Sequence, residues 1–279
     1  MDGTLLTPYQ TITEENIKAI KEAQSLGIEV VIATGRSYQE ANYVLKDSGL
    51  IVPFICVNGA EVRTSEGEVL TSNPLDKKLA EEAIHIFDKH EIYFEIYTNN
   101  GTYTTDFEKS ITILVDIVMS ANPNADVNSV KEKAGERVHQ GLVREIENYS
   151  MLIDSEKHEV YKMLAFASSK EQLHSASENL HTLEGLAVSS SGHDNIELTS
   201  IHAQKGIALE AFVKERGISL EETMAIGDNL NDLSMLKKVG RAVAMGNADE
   251  RVKQECHFVT ATNVESGVGK AILEAIRRN

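Results

Sequence analysis

The first 60 residues alternate between helical and strand-like patterns of apolar positions. Residues 14–27 carry their apolar side chains on one helical face, and Thr13 before them is suited to cap the helix N-terminus. Residues 28–35 form a continuous apolar, β-branched run, which is typical of a strand buried on both faces. A second helix at 38–47 and a second strand at 53–59 follow. This alternation predicts a parallel sheet with crossover helices.

The pattern changes near Ser72-Asn73-Pro74. Two runs with a period of two flank Asn99-Asn100-Gly101, which predicts a β-hairpin. The other elements predicted in this region are helices at 75–90 and 170–183 and strands at 161–166 and 185–192. Half-buried strands mixed with helices are typical of an α+β unit. Residues 106–150 show no clear pattern apart from a predicted turn at 122–124 and a segment at 127–134 that is either mobile or helical.

After Ser200 the first pattern returns, with a helix from Lys205, a strand at 223–228, a helix at 230–240 and strands at 242–247 and 257–263. The predicted fold class is therefore α/β. It is a Rossmann-like parallel-sheet core domain built from both chain ends, residues 1–76 and 196–279, with an inserted α+β cap domain at 77–195. The stretch 191–195 is predicted to be the loop that returns from cap to core.

Charge narrows the range of partners. Lys and Arg total 27 against 43 Asp and Glu, so the formal net charge of the 279-residue chain is −16. Such a surface repels polyanions, so we expect neither nucleic acid nor an anionic membrane as a partner. A site for an anionic metabolite must then be locally positive, through a metal ion or a few placed lysines.

Expectations about compartment and membrane association follow from three further features. The longest nearly apolar run, 49–57, is far shorter than the roughly 20 residues needed to span a bilayer. The pattern of a secretory leader is not found at the start of the sequence. Cys56 and Cys256 lie far apart, which favours reduced thiols. We therefore expect a cytoplasmic protein.

Four predicted buried strands end in small or polar residues. The endings are Thr34-Gly35-Arg36, Asn58-Gly59, Gly227-Asp228 and Gly246-Asn247. In an open parallel sheet, ligands bind beyond the carboxyl ends of the strands. Each ending alone is an ordinary turn or helix cap, but their repetition predicts that these side chains converge on one site.

These motifs, in this order, resemble those of the haloacid dehalogenase-like superfamily. The matching residues are Asp2-Gly3-Thr4 at the chain start, Thr34-Gly35-Arg36, Lys205 at a helix start, and Asp228-Asn229-Leu230-Asn231-Asp232 after an apolar strand. Within the superfamily the chain is similar to Cof-type phosphatases of sugar phosphates and flavin mononucleotide, which carry an inserted α/β cap. The resemblance covers the whole chain.

The resemblance implies Mg²⁺-dependent hydrolysis of small phosphorylated metabolites through an aspartyl-phosphate intermediate. By position, Asp2 is the acid that protonates the leaving oxygen and later helps to activate water. Two carboxylates facing a phosphate dianion require a hard cation, and Mg²⁺ prefers oxygen ligands. The implied metal ligands are Asp228, the main-chain carbonyl of Asp2 and, through a water molecule, Asp232.

Phosphate contacts are implied for Met1, Thr34, Gly35, Lys205 and Asn231. Lys205 would neutralise the phosphoryl oxygens as a fixed positive charge. Two further residues, Asn58 and Arg36, are implied to meet the leaving group of the substrate. The cap is expected to close over the site and exclude water.

The family pattern places its nucleophilic aspartate directly before the position occupied by Met1. We therefore expect residues encoded upstream to supply an apolar strand ending in that aspartate. On this expectation the chain as given has little or no phosphatase activity.

Other functions remain open at this point. A phosphomutase or phosphotransferase would pass the phosphoryl group to a second substrate instead of water. A non-catalytic protein that binds phosphorylated metabolites would bind tightly without turnover. A nicotinamide-dependent dehydrogenase is disfavoured, because no Gly-x-Gly-x-x-Gly sequence follows any predicted strand.

Overall fold

The computed structural model describes residues 1–121, 126–167, 169–190 and 195–278. They form two compact units: unit 1 combines Met1–Ser72 with His202–Asn279, and unit 2 is Asn73–Ile201. The predicted boundaries, after residues 76 and 195, differ from these by a few residues. The second differs because residues 195–200 form a strand that pairs within the sheet of unit 2. Most of the predicted connecting loop, residues 191–194, lies outside the described residues, as does the predicted turn at 122–124.

The first stretch of unit 1 begins with the predicted helix. The elements are α1 (Glu14–Ser25), β1 (Ile32–Ala33), α2 (Tyr38–Leu45), β2 (Phe54–Cys56), β3 (Glu61–Arg63) and β4 (Val69–Ser72). The hydroxyl of Thr13 accepts the amide hydrogen of Asn16 at 3.3 Å, which confirms the predicted N-cap. The strands form one sheet in the order β1-β2-β3-β4, parallel between β1 and β2 and antiparallel beyond. The sequence analysis did not predict the β3–β4 hairpin.

Unit 2 is built around a six-stranded sheet. Its elements are α3 (Lys77–Lys89), β5 (Tyr93–Thr98), β6 (Gly101–Thr104), α4 (Phe107–Ala121), α5 (Val127–His139), β7 (Val143–Glu145), α6 (Ser150–Ile153), β8 (Val160–Phe166), α7 (Lys170–Leu180), β9 (Leu186–Ser189) and β10 (Asn195–Ser200). The strand order is β7-β6-β5-β8-β10-β9. Strands β5 and β6 pair antiparallel around Asn99-Asn100, so the predicted hairpin is confirmed.

One face of this sheet holds the hydrophobic core of unit 2. Phe87 on α3, Phe94 on β5 and Met163 on β8 are buried together in it. The rings of Phe94 and Tyr149 lie 4.5 Å apart between centroids, a distance at which aromatic rings attract each other. Apolar positions spaced two apart on the strands thus meet apolar positions spaced three to four apart on the helices.

The last stretch completes unit 1. Its elements are α8 (Lys205–Glu215), β11 (Met224–Gly227), α9 (Leu233–Leu236), β12 (Arg241–Ala244), α10 (Glu250–Gln254), β13 (Phe258–Val259) and α11 (Gly267–Arg278). Strands β11, β12 and β13 form a parallel sheet. The helix predicted at 230–240 is shorter, because a 3₁₀ turn at Leu230–Asp232 precedes α9.

The two chain ends pack against each other inside unit 1. The side-chain carbonyl of Asn16 on α1 accepts the amide hydrogen of Gly269 on α11 at 2.8 Å. A Cβ atom at Gly269 would lie 3.0 Å from that oxygen, so the close approach favours glycine. The α/β fold class, with parallel sheet elements built from both chain ends, is confirmed. Within the described ranges, no helix has the length and apolar character needed to cross a membrane.

Candidate active site

The opening residues form a tight turn around the carbonyl oxygen of Met1. This oxygen accepts the amide hydrogens of Thr4, Leu5 and Leu6 at 3.3, 2.9 and 3.0 Å. Gly3 in the turn has φ +67°, and a Cβ atom there would lie 2.2 Å from Oδ2 of Asp228. Glycine is therefore required both by the backbone conformation and by the approach of Asp228.

The turn brings Thr4 onto the carboxylate that follows β11. The hydroxyl of Thr4 donates to Oδ1 of Asp228 at 2.5 Å, although the two residues are 224 positions apart. The main-chain nitrogen of Met1 donates to the carbonyl of Ala33 at the end of β1, at 3.4 Å. The chain start thus joins the carboxyl ends of β1 and β11.

A buried ion pair lies beside Asp228. The Nζ atom of Lys205, only 3% exposed, donates to Oδ1 of Asp232 at 2.6 Å. The other carboxylate oxygen of Asp232 accepts the amide hydrogens of Asp228 and Asn229 at 2.9 and 3.1 Å. Asp232 therefore both caps the turn after β11 and fixes the position of the lysine ammonium.

Two glycines let the backbone around Lys205 pack closely enough for this contact. Gly59 has φ +102°, and a Cβ atom there would lie 2.5 Å from the carbonyl oxygen of Gln204. A Cβ atom at Gly206 would lie 1.9 Å from the carbonyl oxygen of Ser234. The start of α8 is held between the turn after β2 and the helix α9.

The turns after β1 and β2 are hydrogen-bonded to each other. The hydroxyl of Thr34 accepts the amide hydrogen of Arg36 at 3.1 Å, and the carbonyl of Thr34 accepts that of Asn58 at 2.9 Å. The side-chain carbonyl of Asn58 in turn accepts from the amide of Asn231 at 3.1 Å. Gly35 lies against Asn58, with its ideal Cβ position 3.1 Å from Oδ1. These predicted phosphate and substrate contacts are therefore neighbours.

The side chain of Asp2 binds Arg36. The Nε atom of Arg36 donates to Oδ2 of Asp2 at 2.8 Å, and a terminal nitrogen of Arg36 donates to Oδ1. The same terminal nitrogen also donates to the side-chain carbonyl of Gln10. Partial burial alone would raise the pKa of Asp2, but the Arg36 guanidinium lowers it overall.

The pKa values of the other two carboxylates shift in opposite directions. Burial raises the pKa of Asp228, and the nearby charge of Asp232 adds to this, against the hydrogen bond from Thr4. Burial would also raise the pKa of Asp232, but the Lys205 ammonium lowers it overall. Asp228 is therefore the one of these carboxylates that a further cation would stabilise most.

The structure does not bring the carboxylates of Asp2, Asp228 and Asp232 together as a three-carboxylate cluster. Over the described parts of the chain, no group of three or more His, Cys, Asp or Glu side chains is arranged to hold a metal ion. Asp2 and Asp232 are instead paired with Arg36 and Lys205. Of the three, only Asp228 has no ion pair among those the structure shows.

Two contacts at the site were not predicted. Gln10 follows no strand and belongs to no motif, so nothing in the sequence pointed to its contact with Arg36. Asn263 donates to the carbonyl of Leu6 at 2.8 Å and fixes the opening turn from the C-terminal stretch. Asn247 donates to the carbonyl of Gly3 at 2.8 Å. Unlike the other two, this residue ends a predicted strand, and that position was the signal that placed it at the site.

Comparison with protein families gives a match over residues 1–272 to the haloacid dehalogenase-like hydrolases. Among curated proteins, the chain is similar to the phosphatase YwpJ of Bacillus subtilis. The two are 36% identical over 96% of this chain and 95% of the relative. It is 33% identical to the 5-amino-6-(5-phospho-D-ribitylamino)uracil phosphatase YwtE of the same organism, over 96% and 93% of the two chains. It is 27% identical to the pyridoxal phosphate phosphatase YbhA of Escherichia coli, over 98% and 95%.

The fold of the chain also matches that of solved structures. A haloacid dehalogenase-like hydrolase from B. subtilis matches with a TM-score of 0.87 and 35% identity, over 97% of this chain and 95% of that one. A protein from Thermotoga maritima matches with a TM-score of 0.78 and 27% identity, over 98% and 94%.

Proposed function

The chain belongs to the haloacid dehalogenase-like hydrolases and is a phosphatase, and from this we propose that it hydrolyses small phosphorylated metabolites with Mg²⁺ as cofactor. The observation that carries the proposal is the buried Lys205–Asp232 pair beside Asp228 and Thr4. A buried cation next to a desolvated carboxylate, at the carboxyl ends of parallel strands, suits a phosphate and a metal ion side by side.

Lys205 supplies the fixed positive charge in this proposal. Its ammonium has three donors, and Asp232 occupies one of them at 2.6 Å. The remaining donors can reach phosphoryl oxygens without a change in the position of the nitrogen. A donor held in place before the reaction needs no reorganisation as negative charge develops.

The other phosphate donors lie on the turns after β1 and β11. Thr34 offers its hydroxyl, Gly35 its amide and Asn231 its side-chain amide. Asn58 joins the two turns through its contact with Asn231, and it would meet the leaving group. The site is therefore locally rich in donors, although the whole chain is strongly acidic.

Asp2 is the general acid and base of the proposed reaction. An aspartate oxygen attacks phosphorus, the bond from phosphorus to the leaving oxygen breaks, and Asp2 gives a proton to that oxygen. Water then attacks the aspartyl-phosphate, Asp2 takes a proton from it, and the bond to the aspartate breaks to release phosphate. In the family pattern, the attacking aspartate stands two residues before the acid that Asp2 matches.

The residues present fit a magnesium ion. Asp228 offers a desolvated carboxylate, and the main-chain carbonyl of Asp2 is the second oxygen ligand in the proposal. Mg²⁺ commonly uses one or two carboxylates together with water and substrate phosphate, so a three-carboxylate cluster is not needed. When bound, the ion would neutralise phosphoryl oxygens and orient the phosphate.

The substrate class is inferred from the substrates for which two of the relatives are named. The curated relatives named above include phosphatases of a ribityl-pyrimidine phosphate and of pyridoxal phosphate. Both names denote small monophosphate esters of metabolites. We infer the same class for this protein, with sugar phosphates and flavin mononucleotide as the first compounds to test.

The test is a screen of phosphorylated metabolites that measures released inorganic phosphate with and without Mg²⁺. It uses both the 279-residue chain and the chain extended by the in-frame codons before Met1. Metal-dependent release without an added acceptor supports the proposal. Release only with an acceptor indicates a phosphotransferase or phosphomutase, and tight binding without turnover in both forms indicates a binding protein; either outcome contradicts the proposal.

A further inference from the structure

Asp2 belongs to a three-residue network with Arg36 and Gln10. Arg36 contacts both carboxylate oxygens of Asp2, one through Nε at 2.8 Å and the other through a terminal nitrogen. That terminal nitrogen also contacts the side-chain carbonyl of Gln10. Two parallel hydrogen bonds from a planar guanidinium fix the orientation of a carboxylate, which a single point charge does not do.

Gln10 reaches Arg36 from the tip of a tight loop. The loop is closed by a bridge between Leu6 and Ile12 and by the amide of Thr7 donating to the carbonyl of Thr11 at 2.9 Å. The hydroxyls of these two threonines also contact each other at 2.8 Å. The loop is thus ordered by its own hydrogen bonds, and Gln10 projects from a defined position.

The backbone of Gln10 is unfavourable for this residue type. Its φ is +61°, in the left-handed region where glycine and asparagine are the common choices. A glutamine in this conformation costs free energy relative to either residue, and such local strain is concentrated at functional sites. Asparagine would suit this backbone conformation, but its side chain is one methylene shorter. Its amide would therefore lie farther from Arg36.

We infer that Gln10 and Arg36 act together as positioning residues that aim the carboxylate of Asp2 at the leaving oxygen of the substrate. This inference rests on the proposed function, because it concerns the proton transfer that Asp2 performs there. Gln10 limits the movement of the terminal nitrogen of Arg36, and Arg36 limits the movement of both carboxylate oxygens of Asp2. The side chain of Asp2 is about half exposed, so the surrounding packing alone does not fix its orientation.

The network also assigns Arg36 a role different from the predicted one. The sequence analysis placed Arg36 at the leaving group of the substrate. In the structure its guanidinium is engaged with Asp2 and Gln10, so its effect on the leaving group is exerted through the acid.

The experiment compares two variants on two kinds of substrate. Arg36→Lys keeps the charge but cannot contact both oxygens in parallel, and Gln10→Asn keeps the amide and suits the backbone but does not reach Arg36. The substrates are p-nitrophenyl phosphate, whose leaving group is stable as an anion, and the sugar phosphate turned over fastest in the screen. The sugar alkoxide needs a proton to leave, whereas nitrophenolate does not.

Asp2 acts in two steps of the proposed reaction, and only the first differs between the substrates. Transfer of the phosphoryl group to the enzyme needs a proton for the sugar alkoxide but not for nitrophenolate, whereas the later attack of water is common to both. We therefore compare kcat/KM, which reports the steps up to release of the leaving group.

General acid catalysis contributes about 10²–10⁴-fold, so we expect kcat/KM for the sugar phosphate to fall about tenfold or more in Arg36→Lys. For Gln10→Asn we expect a fall of about threefold or more, since Arg36 still binds Asp2. On p-nitrophenyl phosphate both variants should stay within about twofold of the wild type, with unchanged thermal midpoints.

Matched controls exist in unit 1. Arg216 donates from Nε to Glu29 at 2.9 Å, and its side chain is 24% exposed, the same fraction as that of Arg36. Gln24 donates to the carbonyl of Ile51 at 2.9 Å. Arg216→Lys and Gln24→Asn should leave kcat/KM for both substrates unchanged.

The outcomes separate the two proposals. Equal losses of kcat/KM on both substrates, or no loss on either, overturn the positioning role while leaving the phosphatase proposal intact. A wild-type protein that releases phosphate from neither substrate, in both chain forms, overturns the proposed function and the inference that rests on it.

Discussion

Among the described residues, each unit buries one lysine against a carboxylate, and the two pairs differ in geometry. In unit 1, Lys205 lies 2.6 Å from Asp232, whose other oxygen holds two main-chain amides. In unit 2, Lys162 lies 3.8 Å from Glu197, and its ammonium also lies over the ring of Tyr97 at 4.2 Å. The exposed fractions of the two lysines are almost the same, at 3% and 4%.

The comparison shows that burial alone does not distinguish the two lysines. Lys205 is tied through Asp232 to the backbone after β11, so its position is fixed before a ligand arrives. Lys162 shares its charge between a longer ion pair and an aromatic face, which is a more permissive arrangement. Lys205 differs from Lys162 in its short contact to a carboxylate that main-chain amides hold in place.

The largest expected effect is that of Lys205→Met. Loss of a preorganised charge at the phosphate should lower kcat about 10²–10³-fold. The variant also leaves Asp232 buried without its cation, so we expect the free energy of unfolding to fall by about 3–5 kcal/mol. Phosphate release and urea unfolding measure the two effects.

A double variant separates stability from catalysis at this position. Adding Asp232→Asn to Lys205→Met removes the unpaired charge, so part of the lost stability should return while turnover stays low. Turnover that recovers together with stability would show that Lys205 acts only on the fold.

Lys162→Met is the corresponding change in unit 2. Because the ion pair is longer, we expect the free energy of unfolding to fall by only about 2 kcal/mol. Release of phosphate from p-nitrophenyl phosphate should stay within about threefold of the wild type, since this lysine is not placed in the catalytic site. A loss of kcat as large as that of Lys205→Met would refute the distinction between the two lysines.

A smaller effect is expected for Thr4→Val, which keeps shape but removes the donor to Asp228. Groups that orient a metal ligand typically affect metal affinity by about 10–100-fold. We expect the Mg²⁺ concentration for half-maximal activity to rise about tenfold, with kcat at saturating Mg²⁺ changed much less. Thr7→Val, in the neighbouring loop, is the control. An unchanged Mg²⁺ requirement in Thr4→Val would contradict the assignment of Asp228 as a ligand.

The smallest effect concerns His158 in unit 2, whose ring lies edge-on to that of Tyr103. Burial lowers the pKa of His158, and the charge of Arg144 adds to this. The unfolded chain, where histidine has a pKa of about 6.5, therefore binds more protons than the folded chain below that pH. The contribution to stability is present above about pH 6.5 and is lost as the pH falls towards the lowered value.

His158→Gln should therefore reduce the loss of stability between about pH 7.5 and pH 5.5. Urea unfolding at several pH values measures it, with the exposed His174→Gln as the control variant. An identical pH dependence in His158→Gln and the wild type would contradict the role of this histidine.

The elements of unit 1 were predicted well where the local signals were strong. Helix α1 begins after its predicted cap at Thr13, and α8 begins at Lys205 as expected. Strand β1 covers only Ile32–Ala33 of the predicted run at 28–35. A strand ends where its pairing partner ends, and the partner is not encoded in the run itself.

Helix α4 and the β3–β4 hairpin were missed for a related reason. In the stretch 106–150 only the segment 127–134 was predicted, as mobile or helical, and the structure forms helix α5 there; α4 and the strand β7 were not predicted. The hairpin consists of strands of three and four residues, too short for a period of two to be distinguished from chance. Such elements depend on the sheet or helix that they pack against.

What could be predicted from the chain alone was the list of candidate site residues and the end of the sheet at which they gather. These features are local in the sequence: strands that end in Thr34, Asn58 and Asp228, and a lysine at a helix start. Which acid pairs with which base was decided only by the tertiary structure. Arg36 binds Asp2, and Lys205 binds Asp232 from 27 positions away, because hydrogen bonds depend on distances of a few tenths of an ångström that only the packed backbone defines.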